Sequence, residues 1–419
     1  MLNRNAWLRS QAFKLGNTNL LTIGLAKKGM WDIFLGSKRS IDWCVQFWPV
    51  LVLSFVCALI ATWGCKAIAI KFNIVDRPDG CVKTHKKPVA YLGGLGVLAG
   101  FIVGVLCGVY LIRGQTVLSD VMRWLFGIIA GATIACFVGL IDDLLDISPT
   151  KKMLGQIVAA STLIFAGIWP DLSEIVKSFH LQMSDTTEMA IGIPIVIFFV
   201  LGATNSLNLL DGLDGLCGGV TVIITVGMLI LAVRRSTYVF SSERGDVARV
   251  IICLALVGGV CGFLLFNRHP AKIFMGDAGS MMLGFVSAAI MMLLARIVPR
   301  WWVASIVVFG LPILDTGTAI LRRLLNKKPL FVSDRGHIYD QMIDRDIPLN
   351  RTVGICYALA GLYAFAGILT SMIHTRYAFI ACAAIFLVSF FVVWRMGFLK
   401  MEGLRGAIHK KDDTDKTRS

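Results

Sequence analysis

The recurrence of long apolar runs along almost the whole chain constrains the fold more than any other feature of this sequence. Eleven runs read as candidate membrane spans: residues 48–70, 95–112, 124–141, 153–168, 189–203, 216–233, 250–266, 281–295, 302–321, 353–373 and 378–394. About 20 apolar residues in a helix cross a hydrocarbon layer about 30 Å thick. In lipid only helices and closed barrels satisfy every backbone N–H and C=O, and uninterrupted apolar runs lack the alternation of a barrel strand. The sequence therefore predicts an all-α, polytopic membrane protein with about eleven transmembrane helices. A hydrophobic content of 56% and a mean hydropathy of +0.74 exclude a soluble globule.

The polar segments between these runs are unequal. Those that follow the first, third, fifth, seventh and ninth runs carry nearly all the distinctive chemistry: residues 71–92, 142–152, 204–215, 267–280 and 322–351. Alternate connections lie on one side of a membrane, so these five loops are expected to share a face. They also hold most of the loop Lys and Arg, among them Lys83, Lys151, Lys152, Arg322 and Arg335, which makes that face cytoplasmic by the positive-inside rule. The net charge of +15 is accounted for by such loops facing anionic lipid, and nucleic acid is not expected as a partner. The basic extension, residues 1–46, would then lie on the other side. Either it lies along the interface or translation begins later, at Met30. Residues 1–40 have scattered charge and no compact apolar core, so no cleavable signal peptide is predicted. Eleven cysteines occur without a Cys-x-x-Cys pair, mostly inside apolar runs, and read as small buried hydrophobes.

Four of the shared loops combine acids with glycines. Asn205, Asn208, Asp211 and Asp214 follow at a spacing of three, with Gly212 and Gly215 able to unwind the helix and gather the four side chains round one point. Such oxygen donors suit a hard cation, Mg²⁺, whose shell is shared with substrate phosphate. The plainer alternative is a polar turn between two helices, but ionisable groups at membrane depth are costly enough to point to function. Asp142 and Asp143 close an apolar run, with Asp146 one turn beyond; acids at a helix C-terminus are repelled by its dipole and call for a compensating partner. Asp277 lies between Gly276 and Gly279 at the start of a run, where a Gly-rich turn offers N–H groups to phosphate. In the first loop Lys83, His85, Lys86 and Lys87 are candidate phosphate donors, and Gly93-Gly94 would let a helix end approach a ligand. The fifth loop, long and polar around Arg335 and His337, suits a substrate lid.

Together, Asp142-Asp143, the Asn-x-x-Asn-x-x-Asp-Gly-x-Asp-Gly run, Pro270-x5-Gly-Asp-x-Gly-Ser280 and the late Asp-Arg-x-His resemble the polyprenyl-phosphate N-acetylhexosamine-1-phosphate transferases. The resemblance covers roughly Trp48 to Trp394. It implies a bacterial inner-membrane enzyme with its site on the cytoplasmic face, joining a UDP-N-acetylhexosamine to undecaprenyl phosphate with release of UMP. It further implies Mg²⁺, with Mn²⁺ a candidate substitute, bound at Asp277. Asp142, Asp143, Asp211 and Asp214 would be catalytic, while Lys83, His85, Asn205, Asn208, Lys272, Arg335 and His337 would meet substrate. A homodimer is a candidate assembly. The chain divides accordingly into an extension (1–46), a transmembrane transferase domain (47–396) and a charged cytoplasmic tail (397–419).

Two departures stand out. Ala90 and Tyr91 replace a Pro and a basic residue before the Gly-Gly, and His-x-His-His reads His337-Ile-Tyr339-Asp340. The single late histidine resembles the branch using UDP-N-acetylglucosamine more than the branch using UDP-N-acetylmuramyl-pentapeptide, which is the runner-up. In another class, a secondary transporter would also have many spans with polar breaks, but near mid-membrane and in related halves.

Overall fold

The computed structural model describes residues 45–76, 88–113, 118–173, 176, 183–238, 245–296, 298–327 and 336–399. Lys83, His85, Arg335, most of the extension and nearly all of the tail lie outside the described residues. Within them the chain is helical: α1 Trp48–Lys71, α2 Gly93–Ile112, α3 Leu118–Leu145, α4 Pro149–Phe165, α5 Asp185–Leu210, α6 Leu216–Tyr238 and α7 Gly245–Asn267. There follow α8 Gly276–Leu294, α9 Pro299–Val308, α10 Gly310–Leu325, α11 Ile338–Asp344, α12 Leu349–Thr370 and α13 Thr375–Arg395. Two short strands, β1 Val75–Asp76 and β2 Val89–Ala90, pair antiparallel before α2.

Each of the eleven apolar runs falls on this helical framework. Among the described residues nine helices are long and apolar enough to cross a membrane, or ten counting α9 and α10 as one span bent by 68°. The remaining run corresponds to α4, whose 17 residues begin with Pro149 and carry Lys151 and Lys152 in the first turn. The bend falls at Phe309, between Val308 and Gly310, with Pro312 soon after; proline removes a donor and restricts its predecessor, so a break here is expected.

The bundle is organised around α8. Every one of its residues from Ala278 to Leu294 is buried, whereas α13 and α1 present most of their apolar side chains outward, as lipid-facing helices do. With no hydrophobic drive between helices in lipid, close packing at small residues holds them together. A Cβ on Gly284 would lie 2.4 Å from the Thr204 Cα of α5, and one on Gly139 of α3 would lie 2.3 Å from the Asp277 carbonyl oxygen. The N-terminal end of α8 is thereby pressed between the ends of α3 and α5, where the acidic residues lie.

Candidate active site

The acidic pair at the end of α3 has two different partners. Asp142 pairs with the Lys152 ammonium at 2.7 Å and accepts a bond from the Ile147 N–H at 3.1 Å. Asp143 instead accepts from the backbone N–H groups of Asp277 (2.9 Å) and Ala278 (3.1 Å), capping α8. The negative end of one helix thus meets the positive end of another through a single carboxylate, which supplies the compensation the sequence called for. Gly276, at φ +69°, makes this possible, and its Cβ position would lie 2.5 Å from the Asp143 carboxylate.

This arrangement corrects two expectations. The N–H groups of Asp277 and Ala278 are committed to Asp143, so they are not donors to a phosphate. Gly93 and Gly94 approach backbone, not a ligand: their N–H groups donate to the carbonyls of Phe274 and Met275, both at 3.0 Å. A Cβ on Gly94 would lie 2.3 Å from the Gly279 nitrogen. Ala90 accepts from the Phe274 N–H at 2.8 Å, and Tyr91 meets Phe274 edge-on at 6.0 Å. The first loop is in this way stitched to the fourth.

Lys152, which the sequence offered only as a loop charge, lies where the carboxylates converge. Its ammonium contacts Asp142, Asp277 and the Asn208 side-chain oxygen, the last at 3.1 Å. Asn208 in turn donates to Asp277 at 2.6 Å. One turn further along α4, buried Gln156 exchanges two bonds with Asn205, at 3.0 and 3.3 Å. Lys152 and Gln156 form a polar i,i+4 pair that reads the Asn205/Asn208 face of α5, and that pair was the signal available in the sequence.

The run spaced at three does not gather round one point. The α5 helix stops at Leu210, so Asn205 and Asn208 keep helical directions while Asp211 and Asp214 lie in the turn that follows. Asp214 accepts from the Ala271 N–H at 3.0 Å and from His269 Nδ1 at 2.7 Å, and so holds the fourth loop. Asn267, buried, accepts from the Gly215 N–H and donates to the Ile273 carbonyl, both at 3.0 Å. The Asp211 N–H donates to the Asn208 carbonyl at 3.2 Å, while its carboxyl group has no hydrogen-bonding partner among the described residues. Burial pushes its carboxyl well above the usual range, and Asp277, Asp143 and Asp214 add to the shift. Asp146, expected on the Asp142 face, adopts φ +48° past the helix end and is exposed. Lys272 is exposed.

His337 is buried. Its Nδ1 lies 2.7 Å from Asp315 of α10, and its ring stacks on Tyr339 at 5.7 Å and 10°. Tyr339, which stands where a histidine was expected, donates its hydroxyl to the Leu209 carbonyl at 2.9 Å and leaves room only for glycine at position 212. Gln341 donates to the carbonyls of Gly336 and Phe398, each at 2.9 Å. Nothing in the sequence singled out Asp315, because it sits inside an apolar run without a neighbouring acid.

Five loops therefore meet at one end of the bundle, where Asp142 and Asp277 contact the Lys152 ammonium and Asp143 and Asp211 lie close to Asp277. The sequence profile of glycosyl transferase family 4 matches residues 125–295, which include all four acids. A protein of Bacillus subtilis (strain 168), named "probable undecaprenyl-phosphate N-acetylglucosaminyl 1-phosphate transferase", is 32% identical over 321 residues, 76% of this chain and 83% of that protein. The chain belongs to glycosyl transferase family 4. Two further members of the family are informative. A decaprenyl-phosphate N-acetylglucosaminephosphotransferase of Mycobacterium leprae (strain TN) is 30% identical over 70% of this chain and 76% of its own length. A phospho-N-acetylmuramoyl-pentapeptide-transferase of Listeria innocua is 35% identical over 61% and 75%. Higher identity over a shorter stretch does not separate the two branches. This family 4 member is a multi-pass membrane protein by its helices and its relatives.

Proposed function

We propose that this protein transfers N-acetylglucosamine-1-phosphate from its UDP-sugar to undecaprenyl phosphate, releasing UMP, at the cytoplasmic face of a bacterial inner membrane. The product would begin a cell-surface polysaccharide or cell-wall glycopolymer. The observation that carries this reading is the cluster around Lys152, whose ammonium is met by an acid from α3, an acid from α8 and an amide from α5. Such a cluster has both the positive charge to hold phosphate oxygens and the excess acid to hold a metal.

The donor set suits Mg²⁺. Asp211 carries a carboxylate with no hydrogen-bonding partner among the described residues, and Asp277 and Asp142 share one ammonium. Among the described residues no three metal-ligating side chains already converge on one point, so substrate phosphates and water would complete the shell, as is usual for Mg²⁺. Asp277 and Asp211 would hold the ion, which when bound neutralises charge on the diphosphate and the departing UMP. The chain's own groups do the rest. Lys152, engaged by Asp142, Asp277 and Asn208, fixes those three groups and offsets phosphate charge, and His337 holds the diphosphate by a charge-assisted bond. The lipid phosphate oxygen attacks the β-phosphorus in line; its second pKa is near 6, so little proton removal is required and Asp142 is placed to take what remains.

The experiment is UMP release by purified protein with undecaprenyl phosphate and a panel of donors. Turnover of UDP-N-acetylglucosamine in preference to UDP-N-acetylmuramyl-pentapeptide supports the assignment, and the opposite preference moves the protein to the other branch. Asp277→Ala should be folded and nearly inactive at any Mg²⁺ concentration; activity within about tenfold of wild type, about 1.4 kcal/mol, removes it from the centre of the mechanism. Cysteines introduced at positions 86, 150, 272 and 334 should label only from the cytoplasm, and periplasmic labelling at any of them reverses the orientation.

A further inference from the structure

A carboxylate is aimed either by bonds to its oxygens or by the backbone that carries it. The Asp211 carboxyl has no hydrogen-bonding partner among the described residues, so the turn between α5 and α6 sets its direction. That turn is gripped at both ends. The Tyr339 hydroxyl of α11 donates to the Leu209 carbonyl at 2.9 Å, two residues before Asp211. The Tyr357 hydroxyl of α12 donates to the Gly215 carbonyl at 2.7 Å, four residues after it.

Both hydroxyls reach their carbonyls through gaps that only glycine leaves. A Cβ on Gly212 would lie 2.2 Å from the Tyr339 oxygen, and one on Gly219 would lie 2.1 Å from the Tyr357 oxygen. Contacts that short do not occur in packed interiors. Two glycines of the Asp-Gly-Leu-Asp-Gly-Leu-Cys-Gly-Gly run are thereby accounted for by the tyrosines they admit. Gly215 itself turns the chain at φ +77°, with its N–H on Asn267, and Asp214 is committed to the fourth loop. A tyrosine hydroxyl stands at the end of a rigid ring with two torsions, so each is a strut of fixed length from its helix.

We propose that Tyr339 and Tyr357 are positioning residues for the transfer reaction: bonded to the carbonyls on either side, they hold the turn that aims the Asp211 carboxylate at the metal. The inference rests on the reading above in which Asp211 and Asp277 hold Mg²⁺. Tyr339→Phe and Tyr357→Phe each keep the ring and delete one hydroxyl. Tyr363→Phe is the matched control. Six residues further along α12, its hydroxyl donates to Ser389 of α13 at 2.6 Å.

Two readouts on the full-length protein in detergent decide the matter. In hydrogen exchange, amides of residues 209–217 should exchange roughly 2–10-fold faster in each of the two variants, the effect of one hydrogen bond lost from the turn. Tyr363→Phe should leave them at the wild-type rate. Wild-type rates in both site variants overturn the proposal, whether or not the protein turns over. In Mn²⁺ titrations followed by the EPR signal of the free ion, each site variant should bind roughly 10-fold more weakly. That is the low end of the range for lost outer partners of a metal ligand. The Mg²⁺ needed for half-maximal UMP release should rise in parallel, with the donor KM within about threefold. On an Asp211→Asn background neither variant should weaken Mn²⁺ further, and additive losses overturn the proposal. A role confined to stability would lower the melting temperature as Tyr363→Phe does and leave Mn²⁺ affinity within about twofold of wild type; that result is equally fatal. Should one Phe variant fail to fold, the other tests its own side of the turn. A wild type that binds no Mn²⁺ and releases no UMP defeats the metal and transfer reading alone, and exchange of the turn still decides whether the two hydroxyls hold it.

Discussion

Replacing Lys152 by methionine tests the centre of the site most directly. The side chain is 14% exposed and its ammonium faces Asp142, 13% exposed, and Asp277, 32% exposed. Methionine keeps the aliphatic stem and removes the charge. Breaking a buried ion pair by deleting one partner costs about 3–5 kcal/mol. Here the partly exposed Asp277 is screened, so about 2–3 kcal/mol is the reasoned loss. At roughly 2 °C per kcal/mol for a long chain, that lowers the melting temperature by roughly 4–6 °C in chelator. Saturating Mg²⁺ should narrow the gap, because a dication supplies the missing charge, without restoring turnover. UMP release should fall by at least about 100-fold, about 2.7 kcal/mol of transition-state stabilisation. Lys152→Arg should recover stability but not turnover, since a planar fork cannot serve three acceptors disposed round a point. Thermal melts of the detergent-solubilised proteins and the transfer assay give both numbers. A methionine variant that melts with wild type and turns over within about threefold refutes the reasoning.

Other variants probe the supports of the site. Gly94→Ala drives a Cβ to 2.3 Å from the backbone of Gly279, which cannot yield as a side chain would, so little folded protein should be recovered on size exclusion. Gly354→Ala meets nothing within 4 Å and should leave the melting temperature unchanged or raise it slightly. Asn267→Ala strands the Gly215 N–H and the Ile273 carbonyl, and should cost about 2–6 kcal/mol in a melt, at about 1–3 kcal/mol per buried group. Asp143→Asn can still accept one of its two backbone bonds but loses the charge at the start of α8; a loss of about 1 kcal/mol is expected, and none at all would deny the capping role.

The helices were legible because apolar length is a local property, and α1, α2 and α12 can be read directly from their runs. The gathering of five loops was legible from alternation alone. What escaped was whatever depends on pairs distant in sequence. Lys152 looked like any loop lysine until α5 brought Asn208 and α8 brought Asp277 beside it. Asp315 had no acidic neighbour in the chain to mark it, and its partner lies on the far side of a loop. Each step of three from Asn205 to Asp214 drifts about 60° on a helix, and the sequence leaves Gly212 and Gly215 to gather the four; instead the helix ends at Leu210, midway through the run. Asn205 consequently meets Gln156 while Asp214 holds the fourth loop. The Gly93-Gly94 pair suggests room for a ligand, whereas Gly94, like Gly139, gives room to backbone, a distinction invisible without the neighbouring chain.

The bond from Gln341 to the Phe398 carbonyl has a consequence for how the enzyme comes into being. Phe398 lies beyond α13, near the end of the described chain, and Arg345 rests on its ring at 4.2 Å. Helices emerge from the ribosome in order, and the early ones can pack while later ones are still being made. Asp142, Lys152 and Asp277 can therefore assemble before the segment that carries His337 has its last anchor. A growing chain would hold the acidic cluster before His337 is anchored, so the site is completed only when synthesis is almost finished. Any fusion or truncation that disturbs the residues just after α13 should be felt at the candidate site, more than a hundred residues along the chain from Asp277.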